Sequence, residues 1–196
     1  MKRLVVIAFS ALLFSGFCVA QSTEIGFLAG GIFTSDKTPT PGTGTCPATN
    51  PSCGATIHTP ARISYEGIFA HRLVNFHVAG LHLEFPVVGT PTRSIVQGGF
   101  RQDFSTIYFT PGLRLQLGLP FFQPFVSAGG GFGHYSASSS VGSSTVGAFQ
   151  VGGGIDLGFA PFLHFRVEAR EFHNGSPDFN VGNNNIFAGG GLVLKF

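Results

Sequence analysis

From Glu24 to the last residue, apolar and polar side chains alternate in runs of about ten, and apolar residues do not recur at helical spacing. The cleanest run is FSTIYFTPGLRLQL, residues 104–117. Ile107, Phe109, Pro111, Leu113, Leu115 and Leu117 fall on one face, with Tyr108, Thr110, Gly112, Arg114 and Gln116 on the other. A period of two belongs to an extended strand whose faces meet different surroundings. Similar runs are EIGFLAGGIFT (24–34), ARISYEGIFAH (61–71), FHVAGLHLEFPV (76–87), PFVSAGGGFGHY (124–135), GAFQVGGGIDLGF (147–159) and LHFRVEAREF (163–172). The last run ends GGGLVLKF, with Ile186, Ala188, Gly190, Leu192 and Leu194 opposite Phe187, Gly189, Gly191, Val193 and Lys195. Eight strands are predicted.

Their connections alternate in length. Tight turns are expected at Arg72–Asn75, at Gly118-Leu119-Pro120 and at Ala160-Pro161. Long polar connections follow the first strand and occupy GTPTRSIVQGGFRQ (89–102), SASSSVGSS (136–144) and HNGSPDFNVGNNN (173–185). An even strand count with both termini on the tight-turn side predicts an all-β, eight-stranded antiparallel up-and-down transmembrane β-barrel. In a soluble barrel the apolar faces would fill the core. Here they are long and uninterrupted, while the opposite faces carry Arg, Glu, His and Gly. Exposed to water, so much leucine and phenylalanine would form patches that soluble monomers avoid. Lipid outside and a polar interior satisfy both faces.

An eight-stranded barrel has an interior just wide enough for side chains, so inward charges should neutralise one another. Parity places Glu66, Glu84, Asp156 and Glu168 inside, against Arg62, Arg114, Arg166 and Arg170. Glu84, Arg114, Asp156, Arg166, Glu168 and Arg170 are the expected lumen ion pairs. Such a balanced set fits a plugged interior better than an ion-selective pore. The glycine triplets at 129–131, 152–154 and 189–191 lack the lysine and following helix of a phosphate loop. Inside strands, they are expected to permit strong coiling and to make room for large inward neighbours.

Composition sharpens the picture. Charged residues are only 10% of the chain, while it holds 29 Gly and 23 Phe. Lys2 and Arg3 followed by LVVIAFSALLF and then Cys18-Val19-Ala20 read as a cleaved signal peptide over residues 1–20, leaving 21–196 as the barrel domain. Bulky Phe17 argues against lipidation of Cys18. Removing Lys2 and Arg3 from 11 basic residues leaves 9, against 9 acidic. The exported chain is then neutral, with no basic stripe for nucleic acid. Cys46 and Cys53 remain, in TCPATNPSC, and an even pair in an exported chain reads as a disulfide in the first long loop. A metal site there would need partners, of which His58 is the only candidate; no metal and no cofactor is expected.

The ending LVLKF, with apolar residues alternating up to a terminal Phe196, resembles the C-terminal signature of Gram-negative outer-membrane barrels. Together with the loop asymmetry and the paired strands VGGGIDLGFAPFLHFRVEAREF, the chain resembles the eight-stranded OmpA-like and OmpX-like barrel domain over essentially residues 22–196. No peptidoglycan-binding domain is expected to follow. The resemblance implies an outer-membrane location in a Gram-negative-type bacterium and contact with outer-membrane lipid. It also implies recognition of the last strand, with Phe196 as assembly signal, by the barrel-assembly machinery. A monomer is expected.

That fold hosts several functions. The first reading is a non-enzymatic barrel with a structural or surface-interaction role, its surface ligand unidentified. The second is a small passive channel for small or hydrophobic solutes, which would need unbalanced inward charge or a lateral opening. The third is an outer-leaflet hydrolase, since His134-Tyr135-Ser136 is similar to the His-x-Ser of lipid A deacylases. If residues 104–117 and 124–135 pair about a two-residue turn at Leu119-Pro120, Asp103 falls opposite Ser136 and Ser105 opposite His134. Asp103, His134 and Ser136 would then cluster as acid, base and nucleophile near the loop-side rim.

Overall fold

Each predicted strand needs two neighbours for its backbone polar groups, and in the computed structural model each finds them. Residues 22–36, 56–97, 100–137, 142–175 and 183–196 are described. The expected signal segment 1–20 and the expected disulfide partners Cys46 and Cys53 lie outside them. The strands are β1 (Thr23–Thr34), β2 (Arg62–Phe76), β3 (Ala79–Gln97), β4 (Phe100–Phe109), β5 (Gly112–Leu117), β6 (Phe122–Ala137), β7 (Ser143–Ala160), β8 (Leu163–Asn174) and β9 (Asn184–Lys195). All pairings are antiparallel, and β1 pairs with both β2 and β9, so the sheet closes without a free edge.

Nine segments make eight barrel strands, because β4 and β5 are halves of one strand. Both pair with β3 and with β6. The break falls at Thr110-Pro111, where proline has no N–H for the ladder, and the Pro111 carbonyl still accepts from Gly130 N–H at 3.0 Å. Pro60 interrupts β2 in a similar way. Beyond it His58 pairs with Val96, extending the β2–β3 ladder toward the loop end.

Two connections differ from expectation. The tight turn between β2 and β3 lies at His77–Val78, not at Arg72–Asn75. A β-bulge between Arg72 and Val74 absorbs one residue, after which Val74, Asn75 and Phe76 pair with Leu81, Gly80 and Ala79. Cross-strand pairing thus overrides the local turn preference of Asn75, and His77 takes the reversal with a positive φ of 56°. The stretch expected as a loop over 89–102 is also largely strand: β3 runs to Gln97 and β4 starts at Phe100.

Coiling a sheet this tightly brings backbones together where glycines face inward. On β9, opposite β1, a Cβ on Gly191 would lie 2.6 Å from Leu28 Cα. One on Gly189 would lie 2.6 Å from the Phe187 ring, so this glycine makes room for a large inward neighbour. Gly191→Val is therefore expected to prevent β9 from seating on β1, while Gly67→Ala, where a Cβ meets nothing within 4 Å, should fold normally. The readout is the fraction of heat-modifiable, folded protein on a gel. Normal folding of Gly191→Val would contradict the close approach.

Candidate functional site: the barrel interior and the loop rim

Alternation sends one face of every strand inward, and the interior sorts into storeys. Nearest the tight turns is a charged storey. Glu24 on β1, Glu66 on β2, Glu84 on β3, Asp156 on β7 and Glu168 on β8 are buried with Arg114 on β5, Arg166 and Arg170 on β8, and Lys195 on β9. Arg166 grips Asp156 with two prongs, Nε–Oδ1 at 2.6 Å and Nη2–Oδ2 at 2.8 Å. Such forked, charge-assisted pairs are the strongest of their kind. Arg166 also reaches Glu24 at 3.2 Å. Arg114 binds Glu24 directly and Glu84 at 3.1 Å. Arg170 collects three carboxylates: Glu84 at 2.7 Å, Glu66 at 2.8 Å, and Glu168. Lys195 Nζ lies 2.8 Å from Asp156 and donates to Gln123 Oε1 at 2.8 Å. The Phe125 ring lies beneath two guanidinium groups, with its centroid 4.6 Å from Arg166 and 5.3 Å from Arg114.

Arg114, Arg166, Glu168 and Arg170 thus meet in one network with Glu84 and Asp156. Glu24 and Lys195, absent from the expected set, complete it. Both were accessible to parity, because Glu24 shares a face with Leu28 and Ile32, and Lys195 shares one with Val193 and Phe187. Arg62 is only half-buried and sits at the loop end, its Nη2 3.5 Å from Ser94 Oγ.

Above the charges lies an apolar storey of Leu28, Ile32, Ile68, Val88, Tyr108, Tyr135, Phe172 and Phe187, covered by Phe104 and Ile57. Tyr108 stacks on Phe172 with centroids 4.5 Å apart, and its hydroxyl lies 2.7 Å from that of Tyr135. At the level of Phe104 comes a further buried base, Arg93. It donates to Thr34 Oγ1 and, at 2.9 Å, to Asn185 Oδ1, and its guanidinium carbon lies 5.3 Å from the Phe104 centroid. Arg93 sits in the stretch expected as a loop, beyond a bulge between Thr90 and Arg93 that interrupts the alternation. Parity alone could not have placed it.

The rim set does not assemble as expected. β4 and β6 pair Ser105 with Ser136 and Ile107 with His134, a register two residues away from the one that would put Asp103 opposite Ser136. The β5–β6 ladder pairs Gln116 with Phe125, so the chain reverses about Pro120-Phe121 rather than about Leu119-Pro120. His134 Nδ1 lies 2.7 Å from Thr145 Oγ1. The Asp103 carboxylate accepts from Ser94 Oγ at 2.6 Å. Asp103 stands about four residue steps along the ladder from His134, roughly 13 Å at strand spacing. An acid–base–nucleophile relay needs hydrogen-bond contact, and this register separates the acid from the base.

No family model and no curated protein matches the sequence. Among solved structures, the chain is similar to Neisserial surface protein A, with a TM-score of 0.57 and 11% identity over 90% of this chain and 98% of that one. It is also similar to outer membrane protein OprG from Pseudomonas aeruginosa, with a TM-score of 0.55 and 13% identity over 90% and 96%. A third is the N-terminal β-barrel domain of Pseudomonas aeruginosa OprF, with a TM-score of 0.50 and 13% identity over 90% and 98%. The fold is that of these eight-stranded outer-membrane barrels.

Removing one partner from a buried ion pair leaves an uncompensated charge, at a cost of about 3–5 kcal/mol. Arg166→Met is therefore expected to lower the urea midpoint of the barrel in micelles sharply. Adding Asp156→Asn to it should recover part of the loss. A double-mutant cycle showing no coupling would mean that the Arg166–Asp156 fork contributes nothing to stability.

Proposed function

We propose that this chain, whose fold is that of Gram-negative outer-membrane barrels, is a non-enzymatic outer-membrane protein with a structural or surface-interaction role. The observation that carries the reading is the inversion of polarity between its two surfaces. Buried inside, among the described residues, are five acids (Glu24, Glu66, Glu84, Asp156, Glu168) and five bases (Arg93, Arg114, Arg166, Arg170, Lys195). Outside are exposed Ile25, Phe27, Phe69, Leu113, Leu115, Val126, Phe149, Val151, Val167 and Leu192. Along β7 the outward face is apolar or glycine from Phe159 to Gly147. At about 3.3 Å per residue and a tilt near 40°, that stretch rises roughly 30 Å, the thickness of a hydrocarbon core.

The two ends of this band differ. Toward the loops it stops at a polar collar of Ser105, His134, Ser136, Thr145, Glu171, His173 and Asn184. Toward the tight turns it continues into the turns, where Phe121 is 78% and Phe159 71% exposed, with Phe76, Val78, Phe162 and Phe196 also exposed. We infer that the turn end sits in the periplasmic leaflet and that the collar meets the outer headgroups, with the loops displayed beyond. Backbone bonds tie Phe196 to Thr23 in both directions at 2.9 Å. This leaves its ring outside, where assembly machinery could read it.

The channel reading fares worse because the charged storey and the aromatic storey above it fill successive levels of the interior. The purified barrel is expected to give no discrete conductance steps in planar bilayers; steady single-channel currents would replace this reading with the channel. Release of acyl chains from lipid A, lost in Ser136→Ala, would replace it with the hydrolase.

The chain contains no tryptophan, so single-tryptophan variants report depth without background. Phe121→Trp is expected to be quenched by brominated lipid chains. Ser136→Trp is expected to be quenched only by aqueous iodide. Iodide quenching of Phe121→Trp would show that the turns project into water.

A further inference from the structure

Arg93 stands apart from the other buried bases. Arg114, Arg166, Arg170 and Lys195 each touch at least one carboxylate. Arg93 is fully buried and, among the described residues, has no carboxylate within ion-pair distance; its partners are neutral, namely Thr34, Asn185 and the Tyr108 hydroxyl. Its Nε and Nη1 have no hydrogen-bond acceptor. A buried cation with unmet N–H groups is costly unless a negative charge joins it.

The acids cannot easily supply that charge. Nine Asp and Glu occur in the chain. Five belong to the storey near the turns, where they already meet four bases. Asp36 contacts His58 at 2.8 Å, and Asp103 accepts from Ser94. Glu171 is half-buried on β8, paired across the ladder with Ile186. The ninth, Asp178, lies outside the described residues.

The surroundings of Arg93 are those of a small anion site. Tyr108 and Tyr135 lie beside it. Their hydroxyls are 2.7 Å apart, so one donates to the other and the second O–H can donate elsewhere. Phe104 covers the guanidinium, and Phe104, Tyr135, Phe172 and Asn185 are at most 2% exposed. Such a wall keeps the guanidinium out of contact with bulk solvent and closes the site to anything bulky. We propose that Arg93, with the Tyr108–Tyr135 pair, holds a small inorganic anion of the halide class inside the loop-side half of the barrel.

The test uses the whole barrel in detergent micelles, at equal ionic strength in sodium gluconate, chloride or bromide. A ligand present at about a hundred times its Kd raises the folded-to-unfolded ratio about 100-fold. Chloride and bromide, but not gluconate, should therefore stabilise the wild type against urea, with little effect on Arg93→Met. Crystals grown in bromide should show an anomalous peak beside the guanidinium. Wild-type stability that ignores the halide, or halide stabilisation that survives in Arg93→Met, overturns the proposal. A peak without a stability effect marks an adventitious ion only and also overturns it. So does a halide-insensitive barrel that Asp178→Asn destabilises as strongly as Arg93→Met, because the partner is then internal. Should Arg93→Met fail to fold, Arg93→Lys and the wild-type bromide peak carry the same decision.

Discussion

A barrel of eight strands leaves an interior no wider than the side chains that fill it, and this barrel fills that space with charge. The constraint acts in both directions. Turning these arginines and glutamates outward would set charges on an apolar exterior, at roughly 2–4 kcal/mol each for a base at the middle of a bilayer. Turning the leucines and phenylalanines inward would crowd the lumen and leave the polar face outside. Register and closure near the turns follow from keeping Glu24, Glu66, Glu84, Asp156 and Glu168 together with Arg114, Arg166, Arg170 and Lys195, where each is within reach of an opposite charge. The Arg166–Asp156 fork at 2.6 and 2.8 Å joins neighbouring strands β7 and β8. Arg114 and Arg166 cross the lumen to Glu24 on β1. The network therefore staples strands that are far apart in the chain and only meet when the barrel is closed.

Glycine is the other half of that arrangement. Large inward side chains need space, and Gly152, Gly154 and Gly189 provide it by giving up their own. A Cβ on Gly154 would lie 2.7 Å from the Phe125 ring, and one on Gly152 would lie 2.9 Å from Arg170 Cγ. Phe125 carries the two guanidinium groups on its face and Arg170 gathers three carboxylates. Residues without side chains thus hold the most elaborate contacts of the interior in place.

Much of this was legible from alternation. Strand count, closure and inward placement of charges such as Arg114 and Asp156 all follow from a period of two. What alternation could not see was any place where the period breaks. The bulge at Arg72–Val74 moved a turn by several residues, and the bulge at Thr90–Arg93 hid a buried base inside an apparent loop. The rim register failed for a related reason. The β5–β6 reversal is centred between Pro120 and Phe121 instead of between Leu119 and Pro120, and this one-residue displacement moves every opposed pair by two positions. Such a shift preserves which face each residue occupies but changes which neighbour it meets. Face assignments therefore survived an error that took Asp103 away from Ser136.

The same distinction separates what the interior does from what the rim could do. Packing a lumen with opposite charges tolerates a shift of register, because long arginines and glutamates reach several partners: Arg170 contacts residues on β2, β3 and β8 at once. Hydrolysis tolerates none, because a proton must pass between defined atoms at hydrogen-bond distance. A sequence rich in Ser, Thr and His along a polar collar will often place such residues near one another without aligning them. Here His134 meets Thr145 and Asp103 meets Ser94, both short polar pairs between adjacent strands. They knit the outer edge of the sheet where the apolar band ends. Arg93 differs from both cases: its position is specific, its neighbours converge on it, and among the described residues no acid answers its charge.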